Sequence, residues 1–577
     1  MHQHLRFEIT FFQRIFFALT LVGLANIFPL KAQVLPVGTP VLEDKYRRDQ
    51  LLGLIDSSVS FTIRPLSALA LRRTNVFITD SVTEQQGIFY SSDGKGYAQL
   101  MPASAVIQIN SEYPYGWNDG PMIPSRGAQL KLSAGIFAKY KFLTVQFQPE
   151  VVMAGNGRYD GPANLPGYGH HWYIAVGNRI DMPEYFGRST YNKAFLGQSS
   201  IRLNFDPISF GISTENLWWG PGIRNSLLMS NTAPGFFHFT LNTTRPIQTP
   251  IGSFEGQLVG GRLTNSGYPP SITDESLHNE LYFVHKPTTD RYFSGFVATY
   301  QPKWVRGLSL GIIRSFVVNG IHLGNSVQDY LPFFNSTVKE AVYLDSRTGV
   351  PMSSNEVRDA YRSAFFRWVM PAGKLEVYGE YGRKIKPENG RDWMVRSNYS
   401  RAFVLGFRKL TPFPYFGGAD DLIQVDAEVT ELAYNPTNFV RESPTWYTHH
   451  VVRDGYTYQG QVLGAGIGPG SNVQSIDVSW VRNMRQIGIG FERFVHNEDF
   501  MYREGFINDL RRGWVDLGMK AYAVWDFKNI LTFARLQYMH SYNYRFDIYY
   551  PPEHTFWEVG HRDKSNLHLQ LGLSYLF

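Results

Sequence analysis

Apolar and polar residues alternate with a period of two over most of the chain from about residue 103 onward. The clearest case is the C-terminal segment, in which every second position is apolar: Leu567, Leu569, Leu571, Leu573, Tyr575 and Phe577. Similar alternation runs through 201–206, 424–430 and 476–480. Because successive side chains of a β-strand point to opposite faces, each segment predicts a strand with one apolar and one polar face. We therefore predict an all-β fold for residues 103–577.

Eighteen strands can be placed in this region, at 103–110, 127–139, 142–153, 198–206, 208–215, 252–263, 279–286, 292–300, 307–316, 360–370, 373–383, 400–410, 421–432, 475–482, 486–495, 514–526, 529–541 and 566–577. Short connections near Tyr140, Pro207, Ala372, Asn483 and Lys528 alternate with long ones at 154–197, 216–251, 317–359, 433–474 and 542–565. A soluble β-sandwich also alternates, but a membrane barrel has short turns at one face and long loops at the other. The pattern favours a transmembrane antiparallel β-barrel of about 18 strands.

The composition agrees with a barrel and excludes several kinds of chemistry. Hydrophobic residues make up 43% of the 577 positions, but they occur in short pieces. After the first 30 or so residues no run approaches the roughly 18 apolar residues of a membrane helix, so any membrane span has to be made of strands. The chain has no cysteine, which excludes disulfides, thiolate metal sites and cysteine nucleophiles. A net charge of +6 gives no argument for nucleic-acid binding.

The first 102 residues follow a different pattern. Arg6 and Arg14 lie in a positively charged lead that precedes an apolar core at 15–28, so 1–32 is predicted to be a secretory signal peptide. Thr39 as N-cap and Pro40 at the first helical position predict a helix, and a second one is predicted over 66–72. Residues 33–102 are too few to form a comfortable domain of their own, so we expect them to dock on the barrel.

An unusual stretch separates two of the predicted strands. It contains Trp218 and Trp219 on a Gly-Pro-Gly turn, followed by Arg224. Two adjacent Trp rings either pack locally or offer a flat amphipathic face, and sugar rings bind such faces. The stretch from Glu215 to Asn231 resembles the signature of the Wzi capsule-assembly family. The segments 114–120, 145–150, 365–369 and 375–382 also resemble that family, in the form found in Bacteroidetes-type bacteria.

The resemblance implies an outer-membrane β-barrel that acts as a lectin and retains or helps to assemble capsular or other surface polysaccharide, without catalysis. It also implies that residues 33–102 form a periplasmic helical segment that plugs the barrel. The terminal Phe577, with Tyr575 two residues earlier, resembles the assembly signal of outer-membrane barrels. The expected partners are therefore polysaccharide, outer-membrane lipid and the barrel assembly machinery, with a monomeric chain and no cofactor. A channel for sugars or other solutes is the alternative, because a barrel this wide could hold an aqueous pore; a barrel hydrolase is a third.

The predicted polysaccharide-binding residues are aromatic and cationic side chains in the long loops. An acidic glycan could stack on the rings and pair with the guanidinium groups. Any single ring could instead belong to the aromatic girdle of the barrel or pack within a loop. The predicted set is Trp117, Trp172, Tyr173, Trp218, Trp219, Arg224, Arg391, Trp393, Trp446 and Tyr447.

Other candidate chemistry is weak. The glycine string at 464–470 lacks the strand–turn–helix context of a nucleotide site. The adjacent pairs His170-His171 and His449-His450 lack the spacing of a metal site, so no metal is predicted. Four carboxylates are predicted to face the lumen: Glu376, Glu380, Asp426 and Glu428. Two of them could act as an acid/base pair for glycan cleavage. Charge pairing with Arg202, Lys374 or Arg408 in the lumen explains them better. No catalytic residue is therefore predicted.

Overall fold

A computed structural model describes the chain over residues 33–80, 82, 87–160, 172, 176–268, 283–334, 343–344, 351–352, 357–384, 389–414, 418, 420–433, 445–503, 509–553 and 555–577. The signal peptide predicted at 1–32 lies outside these residues and stays a prediction. No helix in the described part of the chain is long and apolar enough to cross a membrane.

Eighteen antiparallel strands form a closed barrel, as predicted. Strands β3 and β4 each consist of two segments. The strands are β1 (Gly96–Asn110), β2 (Gly127–Tyr140), β3 (Leu143–Phe147 and Glu150–Ala154), β4 (Tyr191–Phe195 and Ser200–Phe205), β5 (Ile208–Ser213), β6 (His238–Thr243), β7 (Gly252–Leu263), β8 (Arg291–Pro302), β9 (Leu308–Asn319), β10 (Arg358–Met370), β11 (Leu375–Arg383), β12 (Arg401–Pro412), β13 (Leu422–Glu431), β14 (Asn472–Arg482), β15 (Arg485–Val495), β16 (Val515–Phe527), β17 (Ile530–Tyr542) and β18 (Lys564–Tyr575).

The last strand closes the barrel against the first. Strand β18 pairs with β1 in the register Tyr575↔Ala103 to His568↔Asn110. Along β18 the apolar side chains of Leu567 and Leu571 are exposed on the outer wall, whereas His568 and Gln570 are buried inside. This apolar outer face and polar inner face is the pattern of a membrane barrel.

The predicted strand count is correct, but one predicted strand is wrong and one observed strand was not predicted. Strand β6 (His238–Thr243) lies within the predicted long loop 216–251, and its alternation is weak because only Phe239 and Leu241 carry its outer apolar face. The predicted strand 279–286 is wrong in its described part, because Phe283 to Lys286 have no regular secondary structure. The backbone N–H of Val284 instead donates to the side chain of Asn178, 2.9 Å away. Residues 279–282 lie outside the described residues. A short apolar run in a loop that packs on another loop imitates a strand.

The N-terminal segment lies at the barrel end that carries the short turns. The helix α1 (Pro40–Leu51) has Thr39 as its N-cap residue, as predicted. The second predicted helix is wrong: Leu66–Ser67 pairs as a short strand with Val34–Leu35, and turns follow it. The apolar residues of the segment pack on residues of the barrel wall, such as Met101 and Phe137, and of its short-turn end, such as Met484 and Leu576.

Short elements complete the described fold. The helices outside the barrel wall are α2 (Val327–Tyr330), α3 (Gly390–Val395) and α4 (Glu498–Arg503), with single 3-10 turns at Gly320–His322, Pro332–Phe334, Pro371–Gly373, Leu510–Arg512 and Tyr544–Phe546. Short strands lie at Ile63–Arg64, Phe89–Tyr90, Trp218–Trp219, Ile247–Thr249, Tyr343–Leu344, Pro351–Met352, Thr457–Tyr458, Gln461–Val462, Ile548–Tyr549 and Gly560–His561. Most of these elements lie in the long connections, at the end opposite the short turns.

Candidate functional site

The Trp218–Trp219 pair lies inside the barrel. It forms a two-residue antiparallel ladder with Ile63 and Arg64 of the N-terminal segment, so the long loop and the N-terminal segment meet in the lumen. Trp219 has no exposed surface, and its indole N–H donates to the Oε1 of Gln257 on β7 at 2.7 Å. Trp218 is 3% exposed, and the Arg64 guanidinium lies 4.3 Å from its ring centroid. Neither ring offers a face to a sugar.

Two carboxylates from the barrel wall hold the turn that follows these rings. Glu428 on β13 accepts backbone N–H groups from Ile223, Arg224 and Asn225 at 2.7, 3.0 and 2.8 Å. Glu380 on β11 accepts the backbone N–H of Leu227 at 3.2 Å. A turn that enters the lumen loses water as a hydrogen-bonding partner, and the carboxylates replace it. These side chains therefore position the loop.

A second set of buried charges holds the N-terminal segment. Glu376 on β11 binds Arg47 of α1 at 2.6 Å and Arg367 of β10 at 2.5 Å. Arg64 of the same segment pairs with Glu43 at 2.5 Å. Burial lowers the pKa of Arg64, and the Glu43 carboxylate opposes that shift. The predicted lumen pairing is confirmed for Arg408, which binds Asp426 at 2.6 Å, whereas Glu376 uses other partners.

Three more of the predicted rings are buried beneath the long loops. The indole N–H of Trp446 donates to the carbonyl of Ser400 at 3.1 Å. The hydroxyl of Tyr447 donates to the carbonyl of Leu227 at 2.8 Å, and its ring is fully buried. Trp172 belongs to the same apolar cluster as Trp219 and Leu227. These rings pack a loop core that covers the Trp218–Trp219 turn from the long-loop end.

Trp117 and Arg224 are half-buried and also face inward. Trp117 packs edge-on against Phe494 of β15, with ring centroids 5.6 Å apart. The Arg224 guanidinium lies 3.4 Å from Asp477 and also pairs with Glu492. Burial alone would lower the pKa of Arg224, but the carboxylates of Glu492 and Asp477 raise it well above its usual value. Arg224 is therefore engaged with the wall.

Arg391 and Trp393 are the two predicted residues that the structure exposes. Both lie on helix α3, which Asn389 caps by accepting the backbone N–H of Asp392 at 2.9 Å. Trp393 is 54% exposed, and Arg391 is exposed beside it. Tyr173 lies outside the described residues.

The prediction missed a larger exposed aromatic surface on the loop between β17 and β18. Trp557 is 77% exposed and Phe556 is 63% exposed, and their rings meet edge-on at 4.8 Å. The Arg511 guanidinium lies 4.2 Å from the Phe556 centroid and 5.4 Å from that of Tyr550. We call Arg511, Tyr549, Tyr550, Phe556 and Trp557 the loop aromatic patch. Its position at the long-loop end leaves the rings open to large ligands.

An acidic residue fixes the arginine of this patch. The Asp509 carboxylate binds the Arg511 guanidinium at 2.6 and 2.8 Å and accepts the Tyr550 hydroxyl. These hydrogen bonds, the one from Arg511 first, hold the pKa of Asp509 at about 2. The carboxylate is therefore charged at physiological pH, and it keeps the guanidinium against the Phe556 ring. A long loop with two adjacent aromatic residues was the only available sequence signal for this patch.

The family description "Capsule assembly protein Wzi" matches residues 90–543, which is most of the chain. The chain belongs to the Wzi capsule assembly family. The match includes the Trp218–Trp219 turn and the wall carboxylates that hold it, but it ends before the most exposed rings of the loop aromatic patch.

One solved structure of this family has the same fold. A solved Wzi is titled an outer-membrane protein involved in group 1 capsule assembly in Escherichia coli and a carbohydrate-binding β-barrel. It aligns with 13% identity and a TM-score of 0.57, over 95% of this chain and 100% of its own. OccAB2 of Acinetobacter baumannii aligns at 10% identity and a TM-score of 0.37, over 85% and 99% of the two chains. OprB of Pseudomonas putida aligns at 12% identity and a TM-score of 0.33, over 83% of this chain and 94% of its own. No curated protein sequence matches the chain.

Family membership and architecture together show in which membrane this Wzi-family protein lies. A closed barrel with an apolar outer wall and a polar inner wall is the architecture of outer-membrane proteins. The chain is therefore an outer-membrane β-barrel. Within the described residues no cluster of three or more His, Asp or Glu side chains has the arrangement of a metal site.

Proposed function

We propose that this protein binds surface or capsular polysaccharide at its long-loop end and helps to attach or assemble it, without catalysing a reaction. The observation that carries the proposal is the loop aromatic patch, with Trp557 77% exposed at the end of a barrel whose interior is filled by packed side chains. Family membership supports the same conclusion. In this proposal the long loops face the cell exterior, and the short turns and residues 33–102 face the periplasm.

The patch combines the two chemistries that an acidic polysaccharide needs. The Phe556 and Trp557 rings can stack on the apolar face of a sugar, and Arg511 can pair with a carboxylate of the glycan. Arg391 and Trp393 on α3 form a second, smaller surface of the same kind. Each ring would contribute only about 1 kcal/mol, so a long polymer gains affinity by touching several of them at once.

The absence of catalysis is part of the proposal and rests on what the inward carboxylates do. Glu428 and Glu380 accept backbone N–H groups of the Trp218–Trp219 turn, and Glu376 binds two arginines. A glycosidase needs one carboxyl group free to donate a proton and a second free to attack or to activate water. Carboxylates that hold a loop and an ion network do not have that freedom.

The same contacts argue against the channel alternative. The N-terminal segment enters from the short-turn end, the Trp218–Trp219 turn enters from the other, and the two form a ladder in the lumen. We therefore expect little steady conductance in planar bilayers from the full-length protein. A large and stable ionic current would favour the channel over the lectin.

The remaining partners follow from the proposed location. We propose that residues 1–32 are a cleaved signal, that the barrel assembly machinery inserts the chain, that its apolar wall contacts outer-membrane lipid and that it acts as a monomer. Assembly would be complete when the barrel resists SDS until it is boiled.

The direct test of polysaccharide binding uses the purified full-length barrel on immobilised capsular polysaccharides of different composition. We expect binding to at least one acidic glycan, and we expect Trp557→Ala to weaken it about fivefold without changing heat-modifiability. Failure of the wild-type barrel to retain any glycan would contradict the proposal. Equal binding by the wild type and Trp557→Ala would move the site elsewhere on the long loops.

A further inference from the structure

Part of the outer barrel wall is covered by the chain itself. The outer face of β9 carries four apolar side chains at even separations along the strand: Leu310, Ile312, Phe316 and Val318. Leu310 and Ile312 are exposed, as a wall that faces lipid requires, whereas Phe316 and Val318 are buried. The part of this wall nearest the long loops is therefore covered by protein.

The neighbouring strand β8 presents aromatic rings on the same outer face. Tyr292 lies opposite Val318 in the strand register, and opposed residues of adjacent strands point to one face of the sheet. Phe296 and Tyr300 follow at even separations, so they point outward as well. Tyr300 stacks on Phe254 of β7, with ring centroids 4.8 Å apart, close to the short turns. The three rings of β8 therefore mark three levels of the outer wall.

The start of the loop between β9 and β10 lies against these rings. The Phe333 ring packs edge-on against Phe296, with ring centroids 5.0 Å apart, and its centroid lies 6.4 Å from that of Phe316. Tyr330 of α2 packs edge-on against Tyr292, with ring centroids 5.2 Å apart. The start of this loop therefore lies on the outside of the barrel wall.

Polar contacts also fasten residues 320–333, which we call the wall segment, to the outer face. The Arg314 guanidinium of β9 donates to the backbone carbonyl of Phe333. The Asp329 carboxylate of α2 binds Arg358, the first residue of β10, at 2.7 Å. Backbone groups and charges beside a lipid-facing wall need protein partners, because lipid supplies none. These contacts therefore suit the wall segment to a place with little water.

The wall segment lies at the height of the membrane boundary on the long-loop side. A strand tilted as in a barrel rises by about 2.5 Å per residue along the barrel axis. Tyr292 and Tyr300 are eight residues apart, so their levels differ by roughly 20 Å, close to the apolar band of about 25 Å. Tyr330, which packs on Tyr292, therefore lies near the headgroup boundary, and Phe333 lies below it.

The wall segment keeps three apolar side chains exposed at this level. Val327 is 77% exposed, and Ile321 and Tyr330 are exposed as well. We propose that these side chains insert into the boundary between headgroups and acyl chains of the outer leaflet and anchor the loop between β9 and β10 to the membrane. The loop aromatic patch differs, because Arg511 and not an outward ring of the wall packs against its rings. The anchor rests on the membrane location alone and is independent of polysaccharide binding.

Depth-dependent fluorescence quenching tests the anchor, and the absence of native cysteine allows a single label. Val327→Cys carries the fluorophore on the full-length barrel, in phospholipid vesicles that contain a lipid with a nitroxide on its upper acyl chain. The controls are Ile489→Cys, an exposed position of the outer wall, and Glu553→Cys, an exposed position of the loop between β17 and β18. We expect the nitroxide lipid to quench the Val327 and Ile489 labels at least about threefold more than the Glu553 label. Iodide on both sides of the membrane should quench them in the opposite order.

Truncation of the ring beneath the segment sharpens the test. Phe333→Ala in the Val327→Cys barrel should release α2 from the wall, so that iodide quenches the label as strongly as it quenches the Glu553 label. Phe333→Leu keeps an apolar contact and should leave the label in lipid. Heat-modifiability shows that each variant has folded. Unchanged quenching in a folded Phe333→Ala barrel would contradict the packing on which the proposal rests.

Two results for the Val327 label would overturn the anchor. The first is quenching by iodide but not by the nitroxide lipid, which would place α2 in water. The second is protection from both quenchers, which would indicate that a second copy of the chain or another protein covers this surface. Quenching by the nitroxide lipid, together with protection from iodide, is the result that the proposal requires.

Discussion

Two pairs of adjacent aromatic residues lie at opposite extremes of exposure in this barrel. Trp218 and Trp219 are 3% and 0% exposed and form a ladder with the N-terminal segment in the lumen. Phe556 and Trp557 are 63% and 77% exposed on the loop between β17 and β18. In the sequence, each pair is simply two adjacent aromatic residues in a long connection between strands. The difference is set by distant wall residues, since Glu428 and Glu380 draw the first pair inward and nothing comparable in the described structure covers the second.

The largest loss of stability is expected from the ion network around Glu376, which holds the N-terminal segment beside Trp218 and Trp219. Glu376→Gln leaves the buried guanidinium groups of Arg47 and Arg367 without their carboxylate, so we expect a loss of about 3–5 kcal/mol of stability. Heat-modifiability on gels and the rise of bilayer conductance measure the damage. The control is Asp206→Asn, because Asp206 pairs with the more exposed Arg245 and should cost under about 1 kcal/mol. Equal stability of the two variants would show that the network does not hold the N-terminal segment.

The inner pair itself comes next. Trp219→Ala leaves a cavity at a fully buried site and removes the hydrogen-bond donor of the Gln257 Oε1, so we expect a loss of about 3–5 kcal/mol of stability. Trp557→Ala removes an equally large ring that is mostly in solvent and should change stability by about 0.5 kcal/mol or less. Thermal unfolding of the two variants in the same detergent makes the comparison. A Trp557→Ala barrel as unstable as Trp219→Ala would mean that the outer ring is also structural.

A smaller effect is expected from the cation of the loop aromatic patch. Arg511→Ala should weaken binding of an acidic polysaccharide about fivefold to tenfold, because the cation beside the exposed Phe556 ring is lost. The affinity for a neutral polysaccharide should fall less. Arg493→Ala, which removes an exposed arginine from the outer wall, should bind both glycans like the wild type. An equal loss for both kinds of glycan in Arg511→Ala would indicate that Arg511 acts through the Phe556 ring and not through its charge.

The smallest effect concerns pH and the packing of the outer loops. Burial raises the pKa of Glu184 to about 7, against the Arg545 guanidinium 3.4 Å away. Because the folded state binds its proton more tightly than the unfolded state, loop stability is highest below about pH 4.5 and falls as pH rises towards 7. Hydrogen-exchange protection in 176–190 and 543–548, corrected for the intrinsic pH dependence of amide exchange, should therefore fall between pH 5 and 7.5. Glu184→Gln should remove that dependence, and a persistent dependence would assign it to another group.

Most of the fold could be predicted from the sequence because a barrel wall depends on a local signal. Alternation in segments such as 566–577 fixes which face meets lipid, and that signal needs no knowledge of distant residues. The strand His238–Thr243 was missed because only two outward apolar residues carry it, and the run at 279–286 was accepted because a packed loop can also be apolar. These two errors cancelled in the count of eighteen.

The candidate site could be predicted much less well because exposure depends on contacts between distant parts of the chain. The turn after Trp219 is buried through Glu428, about 200 residues away in sequence, and Tyr447 is buried by a contact to Leu227. Adjacent rings and a glycine-rich turn give no sign of either contact. The family resemblance was carried by the inner turn, whereas the exposed rings lie in a loop that resembles nothing in particular.

Glycan binding by two matched double variants tests the central claim most directly. The first is Phe556→Ala with Trp557→Ala, and the second is Trp218→Ala with Trp219→Ala, each measured per heat-modifiable barrel so that folding losses do not count. We predict that the outer double variant folds normally and loses binding by about tenfold or more, whereas the inner one folds poorly and its folded fraction binds like the wild type. A folded inner variant that fails to bind, beside an outer variant that binds normally, would contradict the account.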